Sequence, residues 1–156
     1  MSDLKTWAKA ILIICSDIDR YEEDFNRAVM KIAMQRSGST DALYQRMADA
    51  MDRKKGILNI KVIADTALKG IKKKLRKILT ERFIERKHIE EISVLNDISI
   101  RNVSYSINRG LEDMAAVLQK EWTAEKLNNE YGADPIVQIA LNGADERLRG
   151  KKDVIT

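Results

Sequence analysis

The chain has 156 residues, 44% of them hydrophobic, 33% charged and 5% aromatic, with seven glycines, one proline and a formal net charge of +4. That length holds one domain, with or without a helical arm, and not two full ones. So few breakers among so much Ala, Leu, Ile, Lys, Arg and Glu exclude a β-sandwich, a collagen-like chain and a disordered one, leaving an all-α fold. The longest apolar run, 10–15, is too short to span a bilayer, lies near acidic residues and has no signal-peptide cleavage site after it. A single cysteine, Cys15, and a single histidine, His88, exclude a disulfide framework and a zinc site of recognised spacing. The expectation is a soluble, cytoplasmic protein without a cofactor or a membrane partner.

From Leu4 the apolar residues Leu4, Trp7, Ile11, Ile14, Ile18, Tyr21, Phe25, Ala28 and Ile32 alternate three- and four-residue steps. This heptad stripe predicts one long helix, and it suits either a coiled-coil partner, hence a homo-oligomer, or another helix of the same chain. Ala8, Leu12, Ile13, Cys15 and Val29 widen the stripe and favour bundle packing. Asp17 and Asp19 interrupt the face and are candidates for a break into two helices.

The cluster 37–41 predicts a turn, with Gly38 ending one helix and Thr40 or Asp41 capping the next. A short helix over 41–53 follows, with Leu43, Tyr44, Met47, Ala48 and Met51 on one face. Gly56 is expected to separate it from a third helix striped by Ile57, Ile60, Ala64, Leu68 or Ala67, Ile71, Leu75 and Ile78. The opposite side of that helix is expected to carry Lys69, Lys72, Lys73, Lys74, Arg76 and Lys77. Residues 53–87 hold thirteen Lys/Arg against three Asp/Glu, more than the whole basic excess, which points to a polyanionic partner, although a solvated helix face would look alike.

Residues 79–114 read as three successive helices, the first ending near 84–86 and the second covering His88 to Leu95. Asn96 and Asp97 form turns readily, Ile98 plugs the turn from inside, and Ser99 is placed to cap a helix from Ile100 to about Glu112. Val103, Ile107, Leu111 and Met114 form its buried face, leaving Arg101, Asn102, Ser104, Tyr105, Asn108 and Arg109 outward. Two helices joined by a short turn, the second presenting Arg, Asn, Ser and Tyr near its start, have the sequence form of a helix-turn-helix over 88–112. Arg binds guanine and Asn binds adenine in bidentate fashion, and hydroxyls reach phosphates or bases.

Glu91-Ile92-Ser93, Ile98-Ser99, Val103 and the run Asn108 to Met114, preceded by Arg82-Phe83, resemble region 4 of bacterial sigma factors. The arrangement is most similar to the small region-4-like regulators of Gram-positive phages, the ArpU and RinA type and the positive control factors. Ser93, Asn96 and Asp97 depart from the family's usual Ala, Leu and Gly without breaking the geometry. The resemblance covers residues 79–115 and implies contacts to bases or phosphates from Ser99, Arg101, Asn102, Ser104, Tyr105 and Asn108. Arg109 is assigned to a phosphate or to an acidic neighbour.

The helix is expected to continue through Val117, Leu118 and Trp122 to about Tyr131, where 132–135 end it, and a short helix over 136–148 precedes a basic end, 147–152. The domains so drawn are 1–55 for oligomerisation or polymerase contact, 56–131 for DNA binding, and 132–156 as a short helix and tail. The expected architecture is a helical bundle with extended N-terminal helices followed by the region-4-like helix-turn-helix. The expected function is a sequence-specific DNA-binding transcription regulator, an activator of phage or prophage late genes, with double-stranded DNA and RNA polymerase as partners. A small-terminase-like packaging subunit and a protein-binding module acting on RNA polymerase or a repressor are the alternatives. No Gly-rich phosphate loop, Cys–His pair or carboxylate–histidine cluster supports an enzyme.

Overall fold

The computed structural model describes residues 3–35 and 38–149, and these are all-helical, with no strand among them. In chain order they form α1 (Leu4–Ser16), α2 (Ile18–Ala33), α3 (Thr40–Lys69), α4 (Lys73–Leu79), a π-helical turn (Thr80–Ile84), α5 (Ile89–Asn96), α6 (Ile100–Leu118), α7 (Ala124–Tyr131) and α8 (Pro135–Arg149). None is long and apolar enough to cross a membrane.

The first heptads form two helices, not one, and they part at Asp17, one of the two candidate break positions. Asp3 caps α1 by accepting from the Thr6 N–H at 2.8 Å. Trp7, Ala8, Ala10, Ile11, Leu12 and Ile14 are each at most 1% exposed. Residues on every side of α1 are therefore buried, and the helix is packed between α3, α6, α8 and the π turn. The α1 part of the predicted seam is thus covered by helices of the same chain. Burial pushes the Cys15 thiol up to about 12, which keeps it protonated and inert near neutral pH.

At Asp17 the chain turns into α2, which pairs with the first half of α3 as an antiparallel hairpin. Gly38, with φ of +96°, makes the reversal, and the cap of α3 is Ser39, one residue before the expected ones, accepting from the Ala42 N–H at 3.1 Å. Lys54 donates to Asn26 at 2.8 Å, and the Arg53 guanidinium lies 5.1 Å from the Phe25 ring centre. Between Asn26 and Lys55 no described residue is fully buried; the hairpin projects from the core.

Gly56 does not divide two helices: α3 runs through it for 30 residues. A helical glycine costs only about 1 kcal/mol against alanine, which the packing of Ile57, Ile60 and Ala64 into the core outweighs. A Cβ built at Gly56 meets nothing within 4 Å. Gly56→Ala is therefore expected to raise stability by about 1 kcal/mol, or about 2–4 °C in Tm, as read by thermal unfolding; a fall in Tm would show that this backbone is not plainly helical.

The third predicted helix also differs. α3 stops at Lys69, and α4 begins at Lys73 in a new direction, because Arg76 folds back over the junction. Its guanidinium donates to the carbonyls of Leu68 at 2.9 Å, Ile71 at 3.4 Å and Lys69 at 3.5 Å, filling acceptors that the helix end leaves open.

Further on, α6 ends at Leu118 rather than continuing to Tyr131. Thr123 starts α7 by accepting from the Lys126 N–H at 3.0 Å, and Trp122 lies in the link, its ring centre 6.0 Å from that of Tyr131. α8 begins with Pro135 in the first turn, where the missing N–H is not needed, and Asp134 accepts from the Ile136 N–H at 2.8 Å. Arg53 holds the same carboxylate by two bonds, at 2.9 and 3.2 Å, tying α3 to the start of α8. One cluster of buried apolar residues draws on α1, α3, α6, α7 and α8, and the 55/56 boundary drawn from sequence falls inside α3. The expected basic end, 147–152, lies outside the described side chains.

Candidate nucleic-acid interface

The α5–α6 pair is organised by its turn. Asp97 takes left-handed backbone angles, φ 51° and ψ 49°, which Asp tolerates better than most residues. The Ile98 N–H reaches back to the Ser93 carbonyl at 3.2 Å, and the Ser93 hydroxyl donates to the Ile98 carbonyl. Ser99 caps α6 by accepting from the Asn102 N–H at 3.1 Å. Behind the turn, Ile78, Ile92 and Val103 form a small fully buried cluster, with Ile89, Ile98 and Ile107 packed at its edge.

A buried carboxylate that the sequence reading missed locks this unit to the chain before it. Glu81, 5% exposed, accepts from Asn96 Nδ2 at 2.9 Å and has Lys87 Nζ at 3.9 Å. The same Asn96 amide donates to the Ile92 carbonyl at 2.9 Å. The signal was legible, since Glu81 follows Ile78 by three residues and so shares its buried phase. Arg86, with φ of +57°, donates to Asp17 at 2.6 Å and to the Ser16 hydroxyl at 3.0 Å, joining the entrance of α5 to the bend between α1 and α2.

Of the residues singled out on α6, Arg101, Asn102 and Tyr105 are exposed in its first turns, Tyr105 at 68%. Ser104 is half-buried, and the Ser99 hydroxyl is engaged in its cap. Further along, Asn108 accepts from Lys5 Nζ at 3.5 Å and Arg109 pairs with Asp113 at 3.4 Å, the acidic neighbour foreseen as one of its two roles. The bare end of α6 is therefore its first two turns.

The expected basic face does not lie on one helix. Lys69 ends α3, Lys72 lies between helices, and Lys73, Lys74 and Lys77 belong to α4. Arg76 leaves the group, because its guanidinium caps α3. The five lysines are exposed, and none pairs with a described side chain. Other basic residues of the 53–87 excess are engaged: Arg53 with Asp134, Arg86 with Asp17, and Lys87 with Glu85 at 2.8 Å.

Two close approaches fix where these lysines lie relative to α6. A Cβ on Gly110 would come within 2.9 Å of Leu79, and one on Gly70 within 3.0 Å of Val117. With Ile78 and Val103 in one buried cluster, the stretch from Gly70 to Leu79 thus runs antiparallel to α6. Lys69 and Lys72 flank the Gly70 approach near the far end of α6, and Lys77 lies nearer the Leu79 approach at its middle. At 1.5 Å per residue, the two approaches, at Gly110 and Val117, lie about 10 Å apart along α6.

No family model, curated protein or solved structure matches the chain. Among the described residues no group of His, Cys, Asp and Glu side chains could hold a metal ion.

Proposed function

We propose that the protein is a sequence-specific DNA-binding transcription regulator that reads duplex DNA with the first turns of α6, the α5–α6 pair serving as a helix-turn-helix. The observation that carries this reading is the bare cluster Arg101, Asn102 and Tyr105 on a capped helix start beside a line of unpaired lysines. Arg and Asn are the side chains suited to guanine and adenine edges in the major groove. Unpaired lysines close together in the chain suit neighbouring phosphates, each able to neutralise one. Lysines in a first turn also oppose the helix dipole, so α4 gains nothing from Lys73 and Lys74 as a helix. The sigma-region-4-like resemblance adds a role as activator of phage late genes, with RNA polymerase as the second partner.

A second reading has its own support. Val94, Leu95 and Ile100 are 81%, 52% and 51% exposed, and Glu90, Glu91 and Asp97 are exposed on the same unit. An apolar patch with an acidic rim suits a protein partner better than a phosphate backbone.

The deciding experiment is selection of genomic fragments by the purified protein, with Arg101→Ala/Asn102→Ala alongside. Enrichment of one promoter-proximal site by the wild type, lost in the double variant, is the expected result. Equal recovery of all fragments by both proteins would remove α6 as the reading element, and no retention at low salt would favour the protein partner.

A further inference from the structure

The α2–α3 hairpin leaves large apolar side chains uncovered: Met30 is 63% exposed, Tyr44 65% and Met51 57%. Their placement follows from helix geometry. On α3 the residues turned toward α2 are Leu43, Met47 and Ala50, each half-buried, with Lys54 continuing the row; on α2 they are Phe25, Val29 and Ile32. At 100° per residue, Tyr44, Ala48 and Met51 lie to one side of the α3 row, and Met30 and Ala33 lie to the corresponding side of the α2 row. In an antiparallel pair, rotation in the same sense from the two facing rows leads to the same outer face. Two contacts agree: Lys54 meets Asn26 on the side that carries the methionines, and Arg53 meets Phe25 on the other. One outer face of the hairpin is therefore apolar, Met30, Ala33, Tyr44, Ala48 and Met51, while the other is charged, with Asp24, Lys31, Arg46 and Asp49.

We infer that this apolar face is covered by the same face of a second copy of the chain, two hairpins closing into a four-helix bundle. Two features select a second copy. The first is area. Two helices about 10 Å apart, each with side chains about 10 Å across, over about 24 Å of shared length, present about 500 Å² in projection. Covering both copies removes on the order of 1,000 Å², the lower bound for a specific interface. The second is charge. Glu23 on α2 and Lys55 on α3 border the patch at its core-proximal end, at similar heights given the Asn26–Lys54 pairing. Both are exposed, and neither pairs with a described side chain. A two-fold axis along the hairpin lays α2 of each copy on α3 of the other and sets Glu23 against the second copy's Lys55. The patch is thus complementary to itself, as a two-fold interface requires. This proposal is independent of the DNA reading, since it concerns the opposite end of α3 from the lysines.

Sedimentation equilibrium of the full chain over 1–100 µM tests it, with helicity by circular dichroism as a check on folding. The wild type is expected at twice the 17.8 kDa chain mass, and Met30→Glu/Met51→Glu at the monomer mass with unchanged helicity. Arg46→Glu, on the charged face, is expected to stay dimeric. Lys55→Glu is expected to raise the dimer Kd by about tenfold and Glu23→Lys/Lys55→Glu to restore it. A monomeric wild type, or a dimer indifferent to the methionine pair, would overturn the assignment. A dimer lost equally through Arg46→Glu would move the interface off this face.

Discussion

Trp7→Ala is expected to cost about 3–5 kcal/mol, the range for emptying a large aromatic side chain from a core. Trp7 is 1% exposed on a helix buried all round, with α3, α6, α8 and the π turn packed against it. Collapse into the vacated space would have to move several helices at once, so relaxation recovers little. Domains of this size have a total stability of about 5–15 kcal/mol, and the variant therefore loses about a fifth of it or more. Urea unfolding by circular dichroism measures the loss as a lower midpoint at an unchanged slope. Val62→Ala is the control: at 61% exposure it should stay within about 0.5 kcal/mol of the wild type. A loss below about 1 kcal/mol at Trp7 would mean that α1 is not the centre of the fold.

Affinity for duplex DNA is expected to fall about 500-fold between 50 and 200 mM salt if the five lysines each neutralise one phosphate, because the logarithmic slope is then about −4.5. Replacing Lys69, Lys72, Lys73, Lys74 and Lys77 with alanine should flatten that slope by about the same amount and weaken all sequences alike. The five have no folding partner to lose, so thermal unfolding should change little. Arg76→Ala behaves in the opposite way. It uncaps the end of α3 and should lower stability by about 1–3 kcal/mol, as for a lost charged hydrogen bond, while leaving the salt slope nearly intact. Fluorescence anisotropy across a salt series reads both. A slope unmoved by removal of the five lysines would place the phosphate contacts elsewhere on the molecule.

The local signals in this chain were legible from sequence. Gly38, the Asn96-Asp97 turn, the Ser99 cap and the buried phase of Val103, Leu111 and Met114 each depend on residues within one or two helical turns. What escaped depends on contacts between distant segments. Gly56 reads as a breaker, yet Ile57 and Ile60 reach the core only if α3 continues through it. The end of α3 at Lys69 is imposed by Arg76 and by Val117 packed against Gly70. Charge counting could not separate the lysines that remain free from Arg53 and Arg86, whose carboxylates lie 81 and 69 residues away. The Thr123 cap was a local signal, but the apolar residues from Val117 to Leu127 hid it by continuing a helical pattern across the break. On α6, the residue types alone could not show that Asn108 and Arg109 are occupied, because Lys5 arrives from the other end of the chain.

An unbroken α3 makes the protein a lever with a fixed phase. Its 30 residues extend about 45 Å, with the methionine face near one end and the Arg76-capped end, from which α4 and α6 are hung, at the other. No flexible joint lies between them along this helix, so the bearing of Arg101 and Tyr105 relative to the hairpin is set by the number of residues in α3. Each residue added or removed would swing one end by about 100° against the other. In a pair of copies joined at the hairpins, that angle would fix how far apart the two α6 starts stand and which way they face.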